Sequence, residues 1–344
     1  MTRRSLLGLS GSALAAMCAT PQKLSPEPED DRFLDDLSRR SFQFFWEYTD
    51  PNTGFTRGRA KADGTRYGTN RRDIDSIAVT GFGLAGLCLA AERVWVKPDE
   101  ARTRVRNAMA FFANEAPQEH GWFFHWLNVK AGQRTGVLEN RMGGILTARQ
   151  YFKKDPEIQK LATRIYERMN FQWMLNGDPL MLPHGWRPEE GFLKARWAKY
   201  SESTIIYLLG IGSPTHAIDP ESWYVWERPQ NVYRQYKYVG LSPLFTHKSS
   251  QAFIDHRGRR EQRSSKIDWF ENSVSATRAH RQFCIDLAEE FPGYSENIWG
   301  ITSSTPPATK RGAVRRVTRP STALWSPARP AVRSCWRRTV ACPR

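Results

Sequence analysis

Carboxyl groups and aromatic rings lie close together along one stretch of the chain, residues 185–216. Aromatic rings can stack on the apolar faces of pyranose sugars, and carboxyl groups can protonate a glycosidic oxygen or hydrogen-bond sugar hydroxyls. The rings are those of Trp186, Phe192, Trp197 and Tyr200, and the carboxyl groups are those of Glu189, Glu190 and Glu202. This combination is typical of a pocket that binds and cleaves carbohydrate.

Glu202 is the strongest candidate for acid chemistry, because the apolar run 205–209 follows it closely. Burial against apolar neighbours favours a protonated carboxyl group, whereas the start of a helix favours the ionised form, and the sequence leaves open which effect is larger. A carboxylate at a helix start often has a purely structural use. The neighbouring Trp and Tyr residues favour a site.

The elements that must position these residues have the apolar spacing of helices. Pro98 and Pro156 each begin a predicted helix, and the other predicted helices cover 30–48, about 75–94, 200–211, 220–233 and 268–290. The helix near 75–94 is apolar all round and rich in small residues, which predicts a buried helix packed closely against another. Since no convincing alternating strand separates these helices, we predict an all-α fold.

The charge of the chain is concentrated at one end. The 344 residues carry a formal charge of +16, which on its own would suggest nucleic acid or an acidic surface as a partner. Residues 302–344 contain ten basic residues and no Asp or Glu, so the remainder has 41 basic and 35 acidic residues. The remainder therefore has the charge of an ordinary globular protein, and we predict no nucleic-acid partner.

Both ends of the chain differ from the part between them. Residues 1–23 combine paired arginines with a short apolar run, which predicts a twin-arginine signal peptide and a periplasmic or secreted protein. The run is too short to span a membrane. Of the five cysteines, only Cys88 and Cys284 fall in the predicted globular part, where both are expected to be buried free thiols.

Several motifs along the chain, taken in order, resemble a known family. The sequence is similar to the glycoamylase-like proteins, helical glycoside hydrolases that include bacterial endo-β-1,2-glucanases and a domain of cyclic β-1,2-glucan synthases. The resemblance covers roughly residues 30–303. The segments that carry it are 37–47, 121–125, 185–192, 200–202, 212–216, 270–273 and 293–300.

The resemblance implies an (α/α)6 toroid barrel over 24–303, incomplete at its C-terminus, with an oligo- or polysaccharide bound at one mouth. It implies a monomer without metal or organic cofactor. Glu202 matches the position where the family has a general acid, and β-1,2-glucan is the expected substrate. The expected substrate-binding residues are Glu139, His125, Trp186, Trp197, Tyr200, His247, Asp255, Glu271, Tyr294, Glu296 and Trp299.

Two departures from the family pattern bear on activity. A short element that usually contains an Asp has no counterpart around Val137–Met142, and the pattern stops after about Ser304. The string Gly312–Arg316 matches an out-of-frame reading of the family's continuation, so we expect residues 304–344 to be a disordered, out-of-frame tail. A defunct or merely glucan-binding remnant of the family is therefore the alternative to an active hydrolase.

Overall fold

The computed structural model describes residues 28–58, 74–128, 134–139, 143–240, 243–263 and 266–301. The predicted signal peptide and the predicted tail lie outside these residues. The chain divides into two compact units, residues 1–41 and 42–344. Helix α1, Pro28–Tyr48, begins in the first unit, where Glu29, Asp30 and Asp31 occupy its first turn and suit the positive end of the helix dipole.

The second unit is predominantly helical, as predicted. Its helices within the described residues are α2 (Ile77–Glu92), α3 (Pro98–Asn114), α4 (Gly143–Tyr151), α5 (Pro156–Glu167), α6 (Phe171–Met174), α7 (Thr204–Ile211), α8 (Phe245–Gln251), α9 (Trp269–Asp286) and a 3-10 helix at Pro220–Trp223. The predicted starts at Pro98 and Pro156 are confirmed. Asp155 caps α5 by accepting hydrogen bonds from the backbone N–H groups of Glu157 and Ile158, both at 3.1 Å.

The small residues of α2 allow a very close approach to α4. A side chain at Gly144 would collide with the backbone carbonyl of Gly81, so α2 and α4 touch through their backbones. Nine of the sixteen residues of α2 are buried, which confirms the predicted inner helix. The helix begins at Ile77, because Ser76 caps it by accepting a hydrogen bond from the Ala78 N–H.

Short strands accompany the helices, although the sequence showed no convincing alternating strand. A four-stranded antiparallel sheet contains β1 (Ile74–Ser76), β2 (Gln118–Glu119), β3 (Trp122–Asn128) and β4 (Arg134–Glu139), with β3 paired to the other three. Trp122, Phe123 and Phe124 are all buried. Because successive side chains of β3 are buried on both faces, the strand lacks the alternation by which a sequence reveals a strand.

Two hairpins complete the strands of the described residues. Strands β5 (Trp186–Arg187) and β6 (Gly191–Phe192) form one, and β7 (Gln230–Tyr233) and β8 (Tyr236–Val239) form the other. The prediction of one helix over 220–233 was wrong, because this range contains the 3-10 helix at Pro220–Trp223 and, at its end, strand β7. Asn272 of α9 holds the β7–β8 hairpin, because its side chain bonds both the N–H and the C=O of Val239, at 2.7 and 2.8 Å.

The main hydrophobic core lies between α2, α3, α4, α5, α7 and the sheet. Cys88 and Cys284 are buried free thiols, as predicted. Burial raises the pKa of the Cys88 thiol to about 12, so this group is unreactive. Within the described residues, no helix combines the length and the hydropathy needed to cross a bilayer.

Candidate active site

Glu202 lines a pocket whose walls are otherwise mostly apolar. The pocket is small and partly open to solvent, and Glu202 is only 7% exposed. Among the described residues that line it, Glu202 is the one carboxylate. The others are Ala78 and Phe82 of α2, Ile205 and Ile206 of α7, Ser249 of α8, and Phe253.

A short turn presents Glu202 to the pocket. The Ser203 N–H donates to the Ser201 hydroxyl oxygen at 3.2 Å, and the Ser201 and Ser203 hydroxyl groups are 2.9 Å apart. This side-chain bond competes with helical pairing, so α7 begins at Thr204 and not at Tyr200 as predicted. Glu202 therefore lies just before the helix, next to its apolar first turn.

The facing walls of the pocket come from α2 and from the segment after α8. The rings of Phe82 and Phe253 are 5.0 Å apart, and Gly143 at the start of α4 lies against Phe253 and Ile205 without room for a side chain. The two contacts of Phe253 join residues more than a hundred positions apart in the sequence. An apolar enclosure of this kind is suited to excluding water from around a carboxyl group.

His125 of β3 lies near the same end of α2. Its Nε2 atom is 3.0 Å from the Ser76 hydroxyl, which also accepts the Ala78 N–H at 3.1 Å. Since Ala78 lines the pocket, the hydrogen bond connects His125 to the pocket wall. Asp75, a buried carboxylate that we did not select from the sequence, accepts the Gly58 N–H at 2.7 Å nearby.

Tyr200 and His247 are buried behind Glu202. Tyr200 is 4% exposed, and its ring stacks on that of Trp269 at 5.0 Å. Its hydroxyl group is 3.3 Å from Nδ1 of His247, which is 2% exposed. Burial lowers the pKa of His247 to about 4, with a smaller contribution from His280, and burial raises the pKa of Tyr200. Both groups are therefore neutral at neutral pH.

A buried polar cluster next to Tyr200 was missed in the sequence. The Glu261 carboxylate accepts hydrogen bonds from Trp223 Nε1 at 2.8 Å, Arg228 Nη2 at 2.9 Å and Trp269 Nε1 at 3.2 Å. A single carboxylate thus orients two of the indole rings around Tyr200. The residues are separated by up to 46 positions and share no recognisable motif, which is why sequence reasoning did not find them.

The aromatic residues of the segment 185–200 have different surroundings. Trp186 is half-buried in the β5–β6 hairpin, where its ring contacts Trp173 at 5.6 Å. Trp197 is buried, and its ring lies 4.1 Å from that of His184. Glu189 is exposed and accepts a 2.6 Å hydrogen bond from Arg134, which lowers its pKa.

Other predicted site residues lie at the surface or outside the described side chains. Asp255 and Glu271 are exposed, and Arg257 holds the pKa of Asp255 at about 2. Glu296 is exposed as well. Tyr294 donates to the Gly300 carbonyl at 3.3 Å, and Trp299 contacts His280. Glu139 lies in β4, where its backbone pairs with that of Phe123 in β3, and its side chain is not described. The roles of all these residues stay predictions.

A family model named Glycoamylase, with the description "Putative glucoamylase", matches residues 194–334. The matched range includes the pocket residues of α7 and α8. It also runs past residue 304, and the out-of-frame tail stays a prediction.

Relatives with known names are similar over most of this chain. An exo β-1,2-glucooligosaccharide sophorohydrolase (non-reducing end) of Parabacteroides distasonis is 24% identical in an alignment 322 residues long that covers 80% of this chain. The match covers 43% of that relative, so the chain spans less than half the length of this curated protein.

Solved structures show the same fold. An endo-β-1,2-glucanase from Chitinophaga pinensis, solved with sophorotriose and glucose, has a TM-score of 0.71 at 24% identity, over 80% of this chain and 72% of its own. A "putative glucoamylase" from Bacteroides fragilis has a TM-score of 0.71 at 25% identity, over 84% and 74%. The predicted fold class, a helical barrel of the glycoamylase-like type, is confirmed. The resemblance to the glycoamylase-like proteins that the motifs indicated is likewise confirmed.

Proposed function

We propose that this protein is a glycoside hydrolase that acts on β-glucan, with β-1,2-glucan as the substrate and Glu202 as the general acid. The observation that carries the proposal is a buried carboxyl group in an apolar pocket that opens to solvent. The relatives named for β-1,2-glucan chemistry support the choice of linkage.

In this reaction Glu202 donates its proton to the glycosidic oxygen as the bond to the anomeric carbon breaks. Water then completes the hydrolysis, with help from a second carboxylate. An inverting enzyme places the two carboxyl groups about 6.5–9.5 Å apart and a retaining enzyme about 5–5.5 Å apart. Because Glu202 is the one carboxylate among the described lining residues, the second carboxylate has to come from elsewhere.

Aromatic surfaces outside the pocket support carbohydrate binding. Trp186 and Phe192 lie on the β5–β6 hairpin, where both residues are half-buried and both rings contact that of Trp173 in α6. Exposed indole and phenyl faces are suited to stacking on pyranose rings. We therefore assign this hairpin, with His125, to the binding of the glucan chain.

The test is the hydrolysis of linear β-1,2-glucan by the purified chain, with starch and β-1,3-glucan as controls. We expect oligosaccharides from the first substrate alone and no detectable release by Glu202→Gln. The matched control is Glu92→Gln, because Glu92 is exposed at the opposite end of α2. An unchanged rate in Glu202→Gln would show that another group is the acid.

The alternative is a protein that binds β-1,2-glucan without cleaving it. The exposure of Asp255, Glu271 and Glu296 favours it, because none of them is buried beside Glu202 as a second catalytic group. Calorimetry with sophorose oligomers separates the two functions. Binding without released products would favour the alternative.

We further propose that the protein is exported through a signal peptide at residues 1–23 and acts as a monomer. The paired arginines before an apolar run support export. Fractionation of cells expressing the wild type and an Arg3→Lys/Arg4→Lys variant tests this, with cytoplasmic retention of the variant as the expected result. Sedimentation of the exported protein gives its oligomeric state.

A further inference from the structure

Helix α8 contacts the turn that bears Glu202 on both sides. His247 and Ser250 lie three positions apart on α8, so their side chains point from the same face of the helix. His247 meets Tyr200, two residues before Glu202, and Ser250 meets Thr204, two residues after it. Ser249, between them in sequence, lines the pocket itself.

On the first side, Tyr200 is held from three directions. Its hydroxyl group is hydrogen-bonded to His247, its ring stacks on Trp269 with an angle of 6° between the planes, and its N–H donates to the Glu227 carbonyl at 2.9 Å. The His247 ring packs against Gly240, where a side chain would collide with it. The place of Tyr200 is therefore fixed by buried contacts.

On the second side, the buried hydroxyl groups of Thr204 and Ser250 form a hydrogen bond. Thr204 is the first residue of α7 and Ser250 is near the end of α8, so the bond joins the two helices next to the pocket. Buried hydroxyl pairs of this kind fix geometry, because neither group has water as an alternative partner.

We propose that His247 and Ser250 are positioning residues that set the place of the Glu202 carboxyl group through Tyr200 and Thr204. This inference rests on the proposed function of Glu202. His247 and Ser250 are buried and touch the supports of the acid, so they have no contact with substrate in this assignment. A displacement of about 1 Å in a catalytic group can reduce a rate about a hundredfold, which makes such supports important.

The kinetic test uses variants that remove one hydroxyl group while keeping the shape of the side chain. Tyr200→Phe keeps the stack on Trp269, and Thr204→Val keeps the branched side chain. We expect kcat to fall about tenfold or more with KM within about twofold, since only the placement of the acid changes. Thr204→Ser, which retains the hydroxyl group, should keep the wild-type kcat.

The matched control is Thr277→Val, because the Thr277 hydroxyl donates to the Ser273 carbonyl within its own helix, α9. Its kcat should equal that of the wild type. If Thr204→Val does not fold, Ser250→Ala removes the same bond from the other side. A rise in KM with unchanged kcat in Tyr200→Phe would overturn the proposal, because it would mean that Tyr200 contacts the sugar.

A spectroscopic measurement keeps the inference separate from activity. In protein labelled with 13C at the glutamate carboxyl carbon, the Glu202 resonance is identified by its loss in Glu202→Gln. We expect this resonance to shift in Tyr200→Phe and Thr204→Val and not in Thr277→Val. If the Glu202 resonance shifts in both variants but the wild type does not hydrolyse β-1,2-glucan, the proposed function alone is refuted. Unmoved resonances would refute the positioning role alone.

Discussion

At the scale of single residues, burial determines the ionisation of the groups behind the pocket. His247 keeps a pKa of about 4 against an ordinary value of 6.5, because its ring is removed from water. His280 has a pKa lowered to about 4 for the same reason. Burial disfavours the charged form of an imidazole, so both histidines are buried in their neutral form.

These two histidines make stability depend on pH. The folded protein keeps them neutral, whereas the unfolded chain binds protons below about pH 6.5, so the unfolded state holds more protons between pH 6.5 and 4. The contribution of the two histidines to the free energy of unfolding is greatest above about pH 6.5. It should decrease as the pH falls from 6.5 to 4, by up to about 3 kcal/mol for each histidine.

Urea unfolding at pH 7 and pH 5 measures this effect. The free energy of unfolding at pH 7 should exceed that at pH 5 by less in His247→Gln than in the wild type. In His120→Asn this difference should equal that of the wild type, since the side chain of His120 is 45% exposed. An equal pH dependence in His247→Gln and the wild type would contradict the assignment.

The ion pair of Arg228 with Glu261 should be costly to break from one side. Their side chains are 12% and 2% exposed, so Arg228→Met leaves a buried carboxylate without its charge partner. We expect a loss of about 3–5 kcal/mol in the free energy of unfolding.

The exposed pair Arg257 and Asp255 is the control, with side chains 70% and 58% exposed. Arg257→Met should cost no more than about 1 kcal/mol, because water screens this pair. Chemical denaturation of the two variants under one set of conditions provides the comparison. Equal losses would show that the buried position of Glu261 does not matter.

At the scale of elements, the helices with strong end signals were predictable. Pro98 and the Asp155-Pro156 pair begin α3 and α5 because a proline lacks the N–H that a first turn leaves unpaired anyway. The β7–β8 hairpin was not predictable, because Asn272, more than thirty residues later, supplies the bonds that hold Val239 in a strand. Tertiary contacts decide such segments, and a local pattern does not contain them.

The candidate site shows the same limit. Glu202 was found from its neighbours in sequence, since aromatic and apolar residues flank it directly. Phe82, Ser249 and Phe253 were not found, because they reach the pocket only through the packing of α2 and α8 against α7. The candidate residue Glu202 was therefore visible in the sequence, and the pocket that encloses it was not.

The contact of α2 with α4 predicts a strong effect of a single methyl group. Gly144→Ala would place a side chain against the Gly81 carbonyl, so the helices must move apart next to Gly143, which adjoins pocket residues. We expect a loss of about 1–3 kcal/mol in stability. Gly293→Ala is the control, because nothing lies within 4 Å of the position that its new methyl group would occupy. Thermal unfolding of both variants tests the difference.

At the scale of the whole molecule, the proposed hydrolysis requires a second carboxylate beside Glu202. Glu202 is the one carboxylate among the described lining residues, so the base of the proposed hydrolysis has to come from elsewhere in the chain. A general base contributes about 100- to 10,000-fold to such reactions, so hydrolysis should be slow if no second carboxylate reaches the pocket.

A small external anion should then replace the base. We expect sodium azide or formate to increase the turnover of β-1,2-glucan by the wild type, because either anion can activate water or attack the anomeric carbon directly. Glu202→Gln should show no such increase, since the leaving oxygen would still lack its proton. Turnover that is independent of azide and formate would indicate a base already in place.

The indole rings near Tyr200 give this part of the molecule a spectroscopic signal. Trp223, Trp226 and Trp269 lie in mutual contact, with ring centroids 5.1, 5.6 and 6.1 Å apart and planes inclined at 84°, 48° and 89°. Indoles held this close and at fixed angles couple their transitions and give circular dichroism in the near ultraviolet, which disappears when tertiary packing is lost. The support of the candidate acid thus carries its own chromophore, and its integrity can be followed optically without any label.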